Sequence, residues 1–383
     1  MNTFTKISKY FLLTTLLFLG VVVAQAQDEE EEAPALSFSG TVDSYFRSTF
    51  NQGTLAPGTS FADGSGFSMG MVNLIASYEG EKMGFVGDLV FGPRGQEAAF
   101  GDTWTGQNII NQMYAYYNVN DKLTLTLGQW NTFLGYEVIS PAGNVNYSCS
   151  YLFSWGPFNQ AGLKADIALS DNWGLMVAFM NPTDVLESNI SNLGSSKKRY
   201  TFGFQLSNTT DAGGTYLNFR YGDDQSVYSG TGSLWQVDLT GGYDLSDAFY
   251  LGFNLSTLQQ GTNASGDPVG FTGIALYPKL TLSESFALGA RAEYYSFHGG
   301  FTPAYGYSPK TWMAGGAYGL NSKGNGSVME YTLSGNWSLG DNLTLIPEFR
   351  IDQASQNTFA ESGATSPGSK TLSSYLLAAV YSF

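Results

Sequence analysis

The sequence predicts an all-β fold: a transmembrane antiparallel β-barrel of about 16 strands, with short periplasmic turns and long extracellular loops, and with 14 or 18 strands as the neighbouring readings. Three observations lead there. The 383 residues are only 13 % charged, against roughly 25 % in an ordinary soluble domain, and they include 47 glycines, 27 Phe and 24 Tyr. Beyond residue 26 no apolar run approaches the ~18–20 residues a transmembrane helix needs, which excludes a multi-span helical protein. Apolar and polar residues instead alternate between turn signals along the chain, as in strands with lipid on one face and water on the other. The aromatic richness also excludes a disordered chain.

The N-terminus agrees with that compartment. Lys6 and Lys9 form a basic segment, Tyr10 to Val23 an apolar core, and Ala24-Gln25-Ala26 a small-residue cleavage site, so residues 1–26 read as an export signal peptide. A membrane anchor is the weaker alternative, because the core is short and no stop-transfer flank follows. The acidic run Asp28 to Glu32 makes residues 27–36 a solvated tail, since like charges repel and resist burial. The barrel then occupies residues 37–383. A formal net charge of -15 argues against a nucleic-acid partner, which calls for clustered Lys and Arg. Cys149 is the single cysteine, so no intrachain disulfide can form.

Seven short polar turns punctuate the barrel segment: Glu79-Gly80-Glu81-Lys82, Asn120-Asp121-Lys122, Ser170-Asp171-Asn172, Asn208 to Gly214, Ser246-Asp247, Ser283-Glu284-Ser285 and Gly340-Asp341-Asn342. Asx and Ser side chains bond the local backbone there, and Gly supplies positive φ. The opposite strand ends run into longer stretches, among them 51–66, 131–160, 182–198 and 301–326. Seven such turns join fourteen strands, and the leading and closing strands raise the number to sixteen. Alternation is explicit in places. Leu217, Phe219 and Tyr221 oppose Asn218 and Arg220; Trp235, Val237 and Leu239 oppose Gln236, Asp238 and Thr240. Tyr78, Tyr243, Trp337 and Tyr381 stand at short-turn ends, where an aromatic girdle belongs. The last segment alternates through Tyr375, Leu377, Ala379 and Tyr381 to a terminal Phe383, which resembles the signal that the barrel assembly machinery reads.

Projecting the pleat puts most strand charges on the inner face. The predicted pore-lining set is Asp43, Arg47, Asp88, Lys164, Asp166, Arg220, Asp238, Arg291, Glu293, Glu330, Glu348, Arg350 and Asp352, with Glu137 from a loop. On the lipid face each would cost about 2–4 kcal/mol near the midplane. Lys164 with Asp166, Arg291 with Glu293, and Glu348 with Arg350 lie two apart on one face. Such neighbours are expected either to neutralise one another or to set up a field across the lumen.

The connection from Asn131 to Gln160 differs from the rest. Glu137 is its only charge, yet it holds Phe133, Tyr136, Tyr147, Tyr151, Phe153, Trp155 and Phe158. So aromatic a segment solvates poorly, and folding into the barrel mouth as a constriction would bury it. An extra hairpin or an oligomer contact are the competing readings. Cys149 within it reads as a small buried filler rather than a reactive thiol.

The wording of this loop carries a resemblance. Gly135-Tyr136-Glu137-Val138-Ile139-Ser140-Pro141, then Asn144 to Phe153, then Gly156-Pro157-Phe158-Asn159-Gln160-Ala161-Gly162 is similar to the OmpL-like β-barrel porin family. The resemblance extends over the mature chain and implies a channel-forming outer-membrane barrel. It departs from the family pattern at Cys149, where a basic residue is common, and at Gln160, where His is.

Function follows as an expectation: an outer-membrane porin for passive diffusion of small hydrophilic solutes and ions. The alternative is a structural or surface-interaction barrel without an open channel. Catalysis is not expected. His298 is the single histidine, and no Ser is fixed beside it and Glu293 in the pattern a nucleophilic triad needs. Zinc ligands are too few for a metal site, and no cofactor is implied. The expected partners are outer-membrane lipid, the assembly machinery, small hydrophilic solutes and a second copy of the chain in a homo-oligomer.

Overall fold

Sixteen antiparallel strands close on themselves in a computed structural model, and every neighbour along the barrel is a hydrogen-bonded pair. The structure describes residues 36–50, 61–62, 64–99, 109–182, 184, 200–222, 231–300, 325–360 and 367–383. The expected signal peptide, the acidic tail up to residue 35 and most of the stretches 51–66, 182–198 and 301–326 lie outside the described residues.

The strands are β1 (Leu36–Thr49), β2 (Gly66–Glu79), β3 (Met83–Phe91), β4 (Ile110–Asn120) and β5 (Leu123–Asn131). After the long connection come β6 (Asn159–Ala168), β7 (Trp173–Met180), β8 (Thr201–Thr210), β9 (Gly213–Gly222) and β10 (Thr231–Asp244). They continue with β11 (Phe249–Thr262), β12 (Pro268–Ser283), β13 (Phe286–His298), β14 (Gly326–Leu339) and β15 (Leu343–Ala354). Two short strands, β16 (Phe359–Ala360) and β17 (Pro367–Ser369), pair outside the barrel before β18 (Thr371–Ser382) closes it. The first strand begins one residue earlier than the sequence suggests, at Leu36.

All seven predicted turns fall between consecutive strands, from β2/β3 to β14/β15. Gly340, at φ +73°, shows why glycine belongs in them, since a Cβ there would be strained. Closure joins β18 to β1 with Thr41 opposite Ser382 and Asp43 opposite Val380. Beyond that register, Gly40 and Phe383 exchange both backbone hydrogen bonds, at 3.0 and 3.1 Å. The terminal residue therefore completes the ladder instead of trailing from it.

Outward positions are predominantly apolar. Leu127, Leu163, Phe179, Phe202, Leu217, Phe219, Tyr221, Leu333 and Leu377 are all exposed on the outer face. Trp173, Trp337 and Tyr381 are exposed next to the short turns, giving the aromatic rim that a membrane interface favours. Inward positions fall into two groups. Toward the long-loop end of β10 to β18 the wall is apolar, with Leu234, Leu258, Phe271, Tyr295, Val328 and Leu372 buried in one cluster. Lower down it carries the charges. The apolar half was not expected of a lumen, and its cause is the connection after β5, which packs on it.

Candidate functional site

Residues 132–158 leave the barrel rim at β5 and fold back into the lumen before β6. Pro141–Gly143 forms a 3-10 turn, and a short helix follows, α2 (Tyr151–Trp155), capped by Ser150 accepting from Phe153 N–H at 3.0 Å. A second short helix, α1 (Pro93–Ala98), sits between β3 and β4 and supplies Arg94. Tyr147, Cys149, Tyr151, Leu152, Trp155 and Phe158 are all buried against the barrel's own inner face or against α1.

The wall is notched to receive the loop. A Cβ at Gly273 would lie 2.7 Å from Leu152, one at Gly289 2.6 Å from Val145, and one at Gly252 would enter the Tyr136 ring. These strand glycines are therefore sites of close approach by another segment. Tyr136 stacks on Tyr277 with ring centroids 4.2 Å apart and donates or accepts a 2.9 Å hydroxyl bond with Tyr250.

Charged side chains then hold the loop by its backbone. Glu293 accepts from Tyr151 N–H and Leu152 N–H at 2.8 and 2.7 Å. Glu348 accepts from Tyr147 N–H at 2.8 Å, and Asp238 from Gly135 N–H at 3.0 Å. In the other direction, Arg291 donates to Ser148 O at 2.6 Å and Arg350 to Cys149 O at 2.7 Å. Arg94 donates to Ile139 O at 2.7 Å, to Tyr147 O at 3.0 Å and to Cys149 Sγ at 3.3 Å. Buried charges need such partners, because an unpaired one costs several kcal/mol of desolvation.

The ion pairs differ from those the spacing suggests. Lys164 and Asp166 do pair, at 2.8 Å. Arg291 instead reaches Glu137 at 2.7 Å and Glu330 on β14 at 2.8 Å, while Arg350 takes Asp352 at 2.8 Å and Glu330 at 3.6 Å. Glu293 and Glu348 are thus released to bind loop N–H groups. For Arg291 the reason is geometric: Glu330 on the neighbouring strand and Glu137 of the docked loop present their carboxylates to its guanidinium fork, whereas Arg350 takes the carboxylate two along on its own strand at Asp352 rather than at Glu348.

The remaining predicted residues are also inward. Asp43 accepts from Met71 N–H at 3.1 Å and from the Tyr147 hydroxyl. Asp88 is wrapped by Asn73, Asn111 and Gln112 side-chain amides. Arg220 donates to Gln236 at 2.8 Å, and Arg47 is buried on the same face of β1. Arg94 and the notch glycines escaped the sequence reading. An Arg between Pro93 and Gly95, three residues past a strand end, is the only trace of the first. Burial pushes the Cys149 thiol up to about 12 despite the Arg94 guanidinium beside it. Among the described residues no group of three or more His, Cys, Asp or Glu side chains could hold a metal ion.

Comparison with known proteins matches this geometry. The family described as "Putative beta-barrel porin-2, OmpL-like" matches residues 35–383. No curated protein sequence matches the chain. Solved structures share the fold at low identity. The anion-selective porin from Comamonas acidovorans is 9% identical with a TM-score of 0.57, covering 91% of this chain and 100% of its own. The outer membrane channel DcaP of Acinetobacter baumannii is 13% identical with a TM-score of 0.56, covering 94% and 100%. A trimer form of OmpT from Vibrio cholerae is 10% identical with a TM-score of 0.55, covering 92% and 100%.

Proposed function

The chain belongs to the OmpL-like β-barrel porin family, and on that premise we propose that it forms an outer-membrane channel for passive diffusion of small hydrophilic solutes and ions. The loop from Asn131 to Gln160 narrows the passage. The observation that carries this reading is the inverted barrel: apolar outside, with charges and amides inside and a loop folded into the lumen. The predicted pore-lining residues then divide between two tasks. Asp43, Asp238, Arg291, Glu293, Glu330, Glu348, Arg350 and Asp352 hold the constriction in place together with the loop's own Glu137, and the remainder shape the wall. Export through a cleaved signal at residues 1–26 and insertion by the assembly machinery reading Phe383 complete the route. A homo-oligomer accords with the trimer form of the Vibrio cholerae relative.

One observation favours the other reading, a barrel that serves structure or surface contact without conducting. The long-loop half of the lumen is filled by an apolar cluster that includes Tyr151, Leu152 and Trp155. Recording purified protein in planar bilayers separates the two. A channel gives stepwise, ohmic current increments in potassium chloride; a filled barrel inserts and passes none.

A further inference from the structure

Of the seven short turns, five carry an acid and no base; only 79–82 and 120–122 hold a lysine, Lys82 and Lys122. Both lysines are exposed, as are Glu79, Glu81 and Asp121 beside them. The two turns flank one strand. Asn118 N–H on β4 donates to Lys82 O at 2.8 Å. Lys122 stands two residues beyond the end of β4, where its carbonyl accepts from Ala168 N–H at 2.8 Å.

The outward face of that strand floors a groove. Ala115 and Tyr117 lie on β4, with Phe85 and Met83 opposite them on β3 and Leu127 and Leu125 opposite them on β5. The Ala115 methyl between two longer side chains leaves a dip, and the groove measures about 730 Å3 with an apolar lining. That volume lies within the ~300–1,000 Å3 of pockets that hold small-molecule ligands. Tyr78 stacks on Phe85 at the short-turn end, with ring centroids 6.2 Å apart. The groove thus has an apolar body on the lipid side and a mouth that carries both signs of charge.

We infer that this groove holds one glycerophospholipid with an ammonium headgroup, an acyl chain lying along Ala115 and the headgroup at the two turns. The inference rests on the outer-membrane placement proposed above and not on conduction. The mouth matches that headgroup in both signs: Lys82 and Lys122 meet the phosphate, and Glu79, Glu81 and Asp121 meet the ammonium. Lysine stems lie along apolar surface while their charge stays at the water boundary, which sets the phosphate at the level of the turns. The other five turns have an acid for an ammonium but no cation for a phosphate, so the match is confined to β3–β5. A second copy of the chain fits less well. Docked at the same depth in the membrane, it would bring its own mostly acidic turns against Glu79, Glu81 and Asp121.

Native mass spectrometry of the full-length protein in detergent, with phosphatidylethanolamine added, tests this. The wild type should retain one discrete lipid adduct. Phosphatidylglycerol, which lacks the ammonium, and diacylglycerol, which lacks the phosphate too, should bind more weakly. Ala115→Trp fills the dip with a residue at home in lipid and should abolish the adduct while the heat-modifiable band persists. Leu127→Ala removes one wall and should weaken the adduct, which keeps the test standing if the tryptophan variant does not fold. Lys82→Gln/Lys122→Gln should weaken binding about three- to tenfold, the range expected for losing two exposed ion pairs. Ala292→Trp, outward on β13, should change nothing. No discrete adduct, equal binding of all three lipids, or an adduct indifferent to Ala115 and Leu127 overturns the inference and leaves the channel reading to its own recordings. A protein dimer lost in Ala115→Trp with the lipid adduct unchanged assigns the groove to a second copy and overturns it as well.

Discussion

Replacing Arg291 by Met keeps the length of the side chain and removes its charge. The guanidinium holds Glu137 at 2.7 Å, Ser148 O at 2.6 Å and Glu330 at 2.8 Å, so the loop loses two of its anchors together. Breaking one partner of a buried, hydrogen-bonded charge set costs about 3–5 kcal/mol, because the carboxylates left behind stay desolvated. The β-ladder of β13 is unaffected by the change, so most of that cost falls on the docked loop rather than on the barrel. At 1.4 kcal/mol per factor of ten, the open-loop population rises between about a hundredfold and a few thousandfold. The single native cysteine reads this out. Cys149 is fully buried, and burial pushes its thiol up to about 12, so a maleimide reacts only when the loop leaves the wall. When opening is fast relative to labelling, the labelling rate follows the open population. Labelling of Arg291→Met in detergent should therefore accelerate by that factor, while the heat-modifiable gel shift of the folded barrel is retained. Equal labelling rates for the two proteins, with Cys149 already reactive in the wild type, would refute docking of the loop on this wall.

Three further perturbations address other parts of the structure. Deleting Phe383 removes both backbone bonds to Gly40, so the barrel should fail to appear as a heat-modifiable band in outer-membrane fractions; a normal band counts against a role in closure. Gly273→Val places methyl groups where Leu152 sits and should speed Cys149 labelling without unfolding the barrel, and unchanged labelling would mean the notch is not needed. Asp238→Asn turns an acceptor of Gly135 N–H and of the Asn218 and Asn254 amides into a donor facing donors, and should lower the thermal unfolding midpoint; a cost of about 1–3 kcal/mol is expected for the buried donors left unmatched, and an unchanged midpoint would refute it.

Much of the barrel could be read from local chemistry. Asn-Asp-Lys at 120–122 and Gly-Asp-Asn at 340–342 form their turns from their own side chains and backbone, so nothing distant is needed to recognise them. The inward set was likewise visible, because period-two alternation survives wherever one face meets lipid. What the residues do on that face was not. Arg291 pairs with Glu137, which is 154 positions away, and no spacing rule reaches that far. On β12, Phe271, Ala275 and Tyr277 point inward while Ile274 and Leu276 point outward, so both faces are apolar and parity alone cannot tell lumen from lipid. The notches were hidden for a similar reason. A glycine in a strand reads as a weak point until the side chain that fills its place, Leu152 or Tyr136, is seen.

A water-filled passage narrowed by the loop is tested most directly by swelling of liposomes carrying the protein in sugars of increasing size. The wild type and a variant lacking residues 143–155 are compared, with native mass measured on both. The barrel should survive the deletion, since strand pairing satisfies its own backbone. The wild type should admit small sugars and exclude large ones, and the deletion should raise the size limit at unchanged mass. Swelling by neither protein, or one size limit shared by both, would contradict it.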